Sequence, residues 1–256
     1  MANNRLLEER VLLAPALDFS KLPLDVDILL FGESHGHDEI RRYLKLAVPV
    51  FKSSGFQAYG VEAATKGREE LKRISQTQAK YIAPDKVSFG VFSYDFPSYR
   101  ELAYEMAVEG IEIFPFDIRH SNYLLPKDHR LTSDQCEKIM ADIIDQKVRE
   151  KGKTVILVGA GHLNRNPHSA IRDRDMLIDY LEKLGHKCLT VKFDGGINYK
   201  EREINTYVES AAIKLGRTAD TFMLDNRDGV IAMPYNYIIH LPQEPVIQEA
   251  MAHPLN

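Results

Sequence analysis

The sequence predicts an α/β fold with a mostly parallel central sheet flanked by helices. Short apolar runs rich in β-branched residues alternate along the chain with segments of helical spacing, which is the pattern of strands joined by helices in a parallel sheet. Two of these runs, residues 27–31 and 154–158, each lead directly into a Gly-x-x-His motif. Ligands of such sheets bind outside the carboxyl ends of the strands. We therefore expect His35 and His162 to lie exposed at one edge, each after a tight glycine turn.

The remaining elements follow in order from apolar periodicity and from helix capping residues. Ser98 with Glu101 and Thr132 with Gln135 have the spacing of capping boxes, and Gly110 is placed to end a helix. The predicted strands lie at 27–31, 58–62, 111–117, 154–158, 187–193, 221–224 and 230–233, and the predicted helices at 38–52, 65–74, 98–109, 132–151, 175–184 and 206–215.

Length and composition indicate one globular domain over residues 1–256, with a core at about 27–233. A net charge of −4 gives no general electrostatic case for binding nucleic acid or an anionic membrane. Two cysteines make no disulfide framework, and neither a signal peptide nor a transmembrane segment is apparent. We expect a cytoplasmic protein, with secretion by a route without a cleavable signal left open, and the sequence does not indicate an oligomeric state.

Residues 76–97 follow neither a helical nor a strand pattern. The segment is rich in aromatic side chains, and Pro84 and Gly90 interrupt any regular spacing. It is either a small additional core, which we favour, or a lid over a pocket. Its aromatic residues are Tyr81, Phe89, Phe92, Tyr94 and Phe96.

Carboxylates at the strand ends give the two histidines chemical partners. Glu62 ends the second predicted strand, and His35, Glu62 and His162 together have the composition of a catalytic site for a divalent metal such as Zn, Mn, Co or Fe. Without metal, a histidine serves as a general base. Glu33 is a further ligand, a base that holds water, or a partner of the next helix N-terminus. The same helix-capping alternative holds for Glu62.

The end of the third predicted strand supplies candidates for substrate binding. Asp117 closes that strand, and Arg119 and His120 follow it. Arg119 is suited to hold a carboxylate or phosphate through two parallel hydrogen bonds, and a surface salt bridge is an equally good interpretation. The expected substrate is a small molecule or a peptide.

Residues 32–36 also fit the Gly-x-Ser-x-Gly pattern of a serine hydrolase, with Ser34 as nucleophile. Only about thirty residues precede the motif, whereas several strands precede it in that fold. Serine is also a preferred N-cap for the helix that follows. We therefore disfavour the serine mechanism.

The paired motifs resemble one known superfamily. Gly32-Glu33-Ser34-His35, Val61-Glu62 and Gly159-Ala160-Gly161-His162-Leu163 are similar to the group that joins erythromycin esterases, haem-binding ChaN-like proteins and TraB/TIKI metalloproteases. The resemblance implies an α/β fold with His35, Glu62 and His162 as site residues and Glu33 beside them. It implies a metal protease in one branch, a metal-free esterase in another and haem binding in the third.

The chain departs from each branch of the superfamily. Erythromycin esterases usually carry one more residue between the first glutamate and the histidine. ChaN-like proteins are typically lipoproteins, and TIKI proteins are secretory or membrane-bound; this sequence has no matching signal.

From these features we expect a hydrolase of an ester or amide bond. In this hypothesis His35 activates water with help from Glu33 or Glu62, directly or through a metal, and His162 orients the substrate or stabilises the oxyanion. The first alternative is a protein that binds haem or another tetrapyrrole at the same edge. The second is a toxin or effector domain that modifies a protein, because one fold hosts several chemistries.

Overall fold

The computed structural model describes residues 2–33, 38–64, 97–119, 122, 125–164, 175–195, 207–217, 219–228 and 235–242. In this part of the chain the helices are α1 (Ala2–Leu13), α2 (Asp38–Ser53), α3 (Pro97–Val108), α4 (Ser133–Lys151), α5 (Leu177–Lys183) and α6 (Tyr207–Lys214). The strands are β1 (Ile28–Glu33), β2 (Ala58–Ala64), β3 (Glu112–Asp117), β4 (Thr154–Gly159), β5 (Cys188–Gly195), β6 (Phe222–Asp225) and β7 (Tyr237–Leu241).

The described strands form one sheet in the order β3-β2-β4-β1-β5-β7-β6. Every neighbouring pair is parallel except β6 and β7, which are antiparallel. The predicted α/β class with a mostly parallel sheet is therefore confirmed. Because β4 lies between β2 and β1, the chain that leaves β4 has the carboxyl ends of both neighbours beside it.

Alternation along the strands divides the core between two faces of the sheet. Leu29 and Phe31 of β1 pack with α2 and α3, whereas Ile28 and Leu30 pack with α4 and α5. Successive side chains of a strand point to opposite faces. The face that carries α2 and α3 is called the first face below, and the face that carries α4 and α5 is called the second face.

Of the two predicted capping boxes, the one at the start of α4 is present and the one at the start of α3 is not. Helix α4 begins with the expected box, in which Thr132 accepts from the Gln135 amide and Gln135 accepts from the Thr132 amide. The box predicted at Ser98 is wrong. Helix α3 begins one residue earlier at Pro97, because proline suits the first helical position, and the Ser98 hydroxyl bonds to other side chains instead.

The chain's ends contribute elements that periodicity did not indicate. Helix α1 packs on α6 through Leu7 and Val11, although most of its surface is polar, and β7 was not predicted. The predicted elements at 65–74 and 230–233 lie outside the described residues, as does segment 76–97 except for Pro97. No helix of the described residues is both long and apolar enough to cross a membrane. The single-domain organisation stays a prediction.

Candidate functional site

A short 3₁₀ turn, Ala160–Leu163, carries His162 directly off the end of β4. Gly32 lies inside β1 opposite Val158, so the tight turn predicted there is wrong. A Cβ on Gly32 would lie 3.1 Å from Cα of Ala160 and 3.3 Å from Cδ1 of Leu163. A side chain at this position would crowd the turn, because the turn packs directly on the β1 backbone. The first glycine of the Gly-x-x-His motif at residue 32 therefore lies where the ends of β1 and β4 approach closely.

Tyr235 fixes the same turn from the far end of the chain. Its hydroxyl donates a 3.0 Å hydrogen bond to the carbonyl of Ala160. Burial, with a contribution from the charge of Asp194, raises the pKa of Tyr235 to about 12, so the phenol stays a protonated donor at neutral pH. Tyr235 thus restrains the backbone two residues before His162.

His162 is paired with a carboxylate that the sequence did not single out. Its Nδ1 lies 2.7 Å from Oε2 of Glu137, a buried residue of α4. The backbone N–H of Leu177, the first residue of α5, donates to the same oxygen at 3.1 Å. Two helices therefore hold the carboxylate that orients the imidazole ring.

The other ring nitrogen of His162 faces Arg119. Nη1 of Arg119 lies 2.6 Å from Nε2 of His162. A guanidinium group can only donate, so Nε2 must accept and the ring proton must lie on Nδ1, where it is donated to Glu137. The geometry therefore assigns His162 the neutral Nδ1–H tautomer, with its basic lone pair directed at Arg119.

Two further carboxylates hold Arg119 in place. Glu62 accepts from Nη2 of Arg119 through Oε1 and, at 2.6 Å, from the amide of Gly159 through Oε2. Asp117 accepts from the backbone N–H of Arg119 at 2.8 Å and from its Nε at 3.1 Å. We call Glu62, Asp117, Arg119, Glu137 and His162 together the His162 cluster.

Exposure falls steeply from the surface of this cluster to its base. The side chain of Arg119 is 31% exposed, that of His162 9% and that of Glu62 7%. The expectation of an exposed histidine is therefore wrong for His162, which is buried. Arg119 is the most exposed of the three side chains.

The predicted metal site of His35, Glu62 and His162 stays a prediction, because His35 lies outside the described residues. Oε1 of Glu62 and Nε2 of His162 lie 3.9 Å apart, close enough to share a ligand, but the Arg119 cation is bound to both atoms. Among the described residues, no group of three or more His, Cys, Asp or Glu side chains is placed to hold a metal ion.

The glutamate at the end of β1 belongs to a different cluster. Glu33 has the same alternation as Leu29 and Phe31 and lies on the first face, where Nη1 of Arg41 donates to its Oε2 at 2.7 Å. Tyr99 donates to its Oε1. Arg41 also donates to Ser98 at 2.8 Å and to Asp38 at 2.9 Å. We call Glu33, Asp38, Arg41, Ser98 and Tyr99 the Arg41 network.

The Arg41 network is a buried ion pair with matched partners. The side chains of Arg41 and Glu33 are 0% and 1% exposed, and the guanidinium lies 4.0 Å from the centre of the Tyr99 ring. Burial lowers the pKa of Arg41, but the charge of Glu33 and the hydrogen bonds more than offset it, so the group stays charged. Burial and the Glu33 charge raise the pKa of Tyr99 well above its ordinary value.

The structure thus gathers Glu62, Asp117, Arg119 and His162, and it places Glu33 in the other cluster. His35 and His120 lie outside the described residues, and their predicted roles stay predictions. Sequence reasoning missed Glu137. A signal existed: Glu137 shares an apolar helix stripe with Met140, Ala141 and Ile144, all buried, where a lone carboxylate needs a partner.

Similarity to known proteins is limited to three-dimensional structure. No protein-family model and no curated protein matches the chain. ChaN of Campylobacter jejuni, described in a structure of cofacial haem binding, superposes with a TM-score of 0.54 at 12% identity, covering 90% of this chain and 94% of that one. A Bacillus cereus protein gives 0.54 at 11% identity, covering 94% and 97%. The type III effector HopBA1 gives 0.51 at 12% identity, covering 88% and 92%. The chain therefore has a ChaN-like α/β fold.

Proposed function

We propose that this protein is a hydrolase of ester or amide bonds that uses His162 as a general base without a metal ion. The observation that carries the proposal is the pairing of His162 with Glu137. A buried carboxylate holds the Nδ1–H and fixes the tautomer, so Nε2 is the basic atom, and in this arrangement it accepts a hydrogen bond from Arg119. A histidine held in this way by a carboxylate is the arrangement used to activate oxygen nucleophiles.

The proposed reaction balances with water as the only co-reactant. Nε2 of His162 removes a proton from water while the water oxygen adds to the carbonyl carbon. The tetrahedral intermediate then collapses, the bond from carbon to the leaving oxygen or nitrogen breaks, and the imidazolium returns its proton to the leaving group. Glu137 stabilises the imidazolium that exists between these two transfers. General base catalysis of this kind contributes about 10²–10⁴-fold to a rate.

This mechanism gives His162 the basic role that the sequence suggested for His35. His35 was expected to activate the water, and that expectation stays a prediction because the residue lies outside the described part of the chain. The contacts of His162 support the basic role for it, whereas the sequence suggests that it orients the substrate, stabilises the oxyanion or binds a metal. The substrate expected is still a small molecule or a peptide.

A panel of 4-nitrophenyl esters and anilides tests the proposal on protein dialysed against chelator. We expect hydrolysis by the wild type and a loss of about 10²–10⁴-fold in His162→Gln, with an unchanged circular dichroism spectrum. His129→Gln, at a surface histidine that is 70% exposed, is the matched control. Hydrolysis that persists in His162→Gln but is lost in His35→Ala would return the basic role to His35. Hydrolysis lost only on chelation would restore the metal mechanism.

A second candidate function is binding of haem or another tetrapyrrole, supported by the fold shared with ChaN. Axial ligation by His162, like base catalysis, would require Arg119 to leave Nε2, which accepts from it in this arrangement. A titration with haem tests this candidate. A Soret shift that saturates at a defined ratio of haem to protein favours binding, whereas absorbance that rises linearly with added haem, without a shift, rejects it.

A third candidate is a protein-modifying effector, supported by the fold shared with HopBA1. Its substrate would be a protein chain, and an amide is one of the bonds that the proposed mechanism cleaves. Incubation with a denatured protein mixture, followed by mass spectrometry of new termini, separates peptide-bond cleavage from hydrolysis of small esters.

A further inference from the structure

Arg119 is the solvent-facing layer of the His162 cluster. Its side chain is the most exposed of those that contact His162, and the carboxylates of Glu62, Asp117 and Glu137 lie beneath or beside it. Arg119 is therefore the most exposed side chain of the His162 cluster and its permanent positive charge, beside the three carboxylates. A ligand that binds the exposed part of this cluster contacts Arg119.

Arg119 also occupies the atom that the proposed reaction needs. Nη1 donates to Nε2 of His162 at 2.6 Å, so the lone pair that would accept a proton from water is engaged. If His162 were protonated here, its Nε2–H and the Nη1–H of Arg119 would be two donors facing each other with no acceptor between them. Base catalysis therefore requires the guanidinium to leave Nε2 before or during proton transfer.

The contacts of Arg119 allow such a movement at the end of the side chain. Asp117 holds the backbone N–H and Nε of Arg119, so the base of the side chain is fixed by its own neighbour two residues earlier. The Nη atoms that contact Glu62 and His162 form the outer end of the group. A carboxylate or phosphate binds a guanidinium through two parallel hydrogen bonds and is the kind of partner that replaces the imidazole.

We propose that Arg119 selects substrates that carry a carboxylate or phosphate, and that this anion draws the guanidinium off Nε2 of His162 and so exposes the base. The inference rests on the proposed function for its catalytic consequence, whereas the binding of the anion to Arg119 stands independently. Arg119 is a specificity residue in this account, and His162 remains the group that moves the proton.

Two matched esters test the catalytic part. 4-Acetoxybenzoate carries a carboxylate that is too distant from its own ester to assist hydrolysis, and 4-acetoxybenzamide is the neutral counterpart. We expect the wild type to prefer the anionic ester in kcat/KM by about 10-fold or more, the size of one charge-assisted hydrogen bond. Arg119→Gln should lose that preference, and Arg149→Gln, at an exposed arginine of α4, should keep it.

Binding measured without turnover separates the two proposals. The ¹⁵N signals of the His162 ring are followed while benzoate, benzamide, inorganic phosphate or phenyl phosphate is added. We expect saturable shifts with the anions only, in the wild type and not in Arg119→Gln. The tighter binder of benzoate and phenyl phosphate shows whether the site prefers a carboxylate or a phosphate. Saturable binding with no hydrolysis of any ester would overturn the proposed function and leave the anion site. Equal responses to benzoate and benzamide, or none to any anion, would overturn the anion site even if esters are hydrolysed.

Discussion

Two arginines lie at the same edge of the sheet, on opposite faces, and are surrounded by carboxylates in different ways. Arg41 on the first face is fully buried and joins the ends of β1, α2 and α3. Arg119 at the other cluster is 31% exposed and lies on a histidine that is itself held by a carboxylate. Two features therefore separate a candidate reactive site from a structural ion pair: exposure of the arginine to solvent, and its contact with a histidine that can accept a proton.

The Arg41 network gives the largest effect that we expect on stability. Arg41→Met leaves the Glu33 carboxylate buried without its cation, and breaking a buried pair in this way costs about 3–5 kcal/mol. Denaturation with urea measures the free energy of unfolding. Adding Glu33→Leu to the variant should recover part of the loss, because the uncompensated charge is removed. A cost below about 1 kcal/mol for Arg41→Met would show that the network is not structural.

The carboxylate that orients His162 gives the largest effect that we expect on catalysis short of losing the histidine. Glu137→Gln keeps the shape of the side chain but removes the charge that stabilises the imidazolium. We expect kcat to fall by about 10²-fold with little change in the free energy of unfolding. Glu150→Gln, an exposed position on the same helix, is the control. Unchanged kcat in Glu137→Gln would separate the carboxylate from the reaction.

Tyr235 should act on the same site more weakly, because it holds the backbone of the turn. Tyr235→Phe removes the hydrogen bond to Ala160, and we expect a loss of about 1 kcal/mol in stability. We also expect kcat to fall by a few fold while KM stays constant, since the turn carries the base. Tyr180→Phe removes a comparable hydroxyl contact, to Asp134, and should leave kcat unchanged. Equal kcat values in the two variants would reduce Tyr235 to a structural role.

The fold and half of the site follow from local sequence patterns. The alternation of strands and helices predicts the parallel sheet, and the glycine motif after β4 brings His162 next to Glu62 and Arg119. The sequence did not predict that Glu33 and Glu62 belong to different clusters, because it placed each of them only at the end of a strand. Strand alternation decides which face each glutamate occupies, and that depends on a register that only the pairing of the strands defines.

Long-range contacts account for the residues that sequence reasoning missed. Arg41 bonds to Ser98, Glu137 to His162 and Tyr235 to Ala160, which lie 57, 25 and 75 residues away along the chain. Arg41 and Glu137 each lie on an otherwise apolar helix stripe, which signals a buried charge but does not name its partner. The partner is fixed by how the helices pack on the sheet.

The most direct test of the central claim measures stability and ester hydrolysis together in Arg41→Met and Arg119→Gln. We predict that Arg41→Met loses about 3–5 kcal/mol of unfolding free energy. Arg119→Gln should lose less than that, because the Arg119 side chain is itself 31% exposed and Glu62 and Asp117 each keep a hydrogen bond from a backbone N–H, and it should abolish the preference for 4-acetoxybenzoate over 4-acetoxybenzamide. Equal losses of stability in the two variants, with the substrate preference intact in Arg119→Gln, would contradict the division of the two faces into a structural and a chemical cluster.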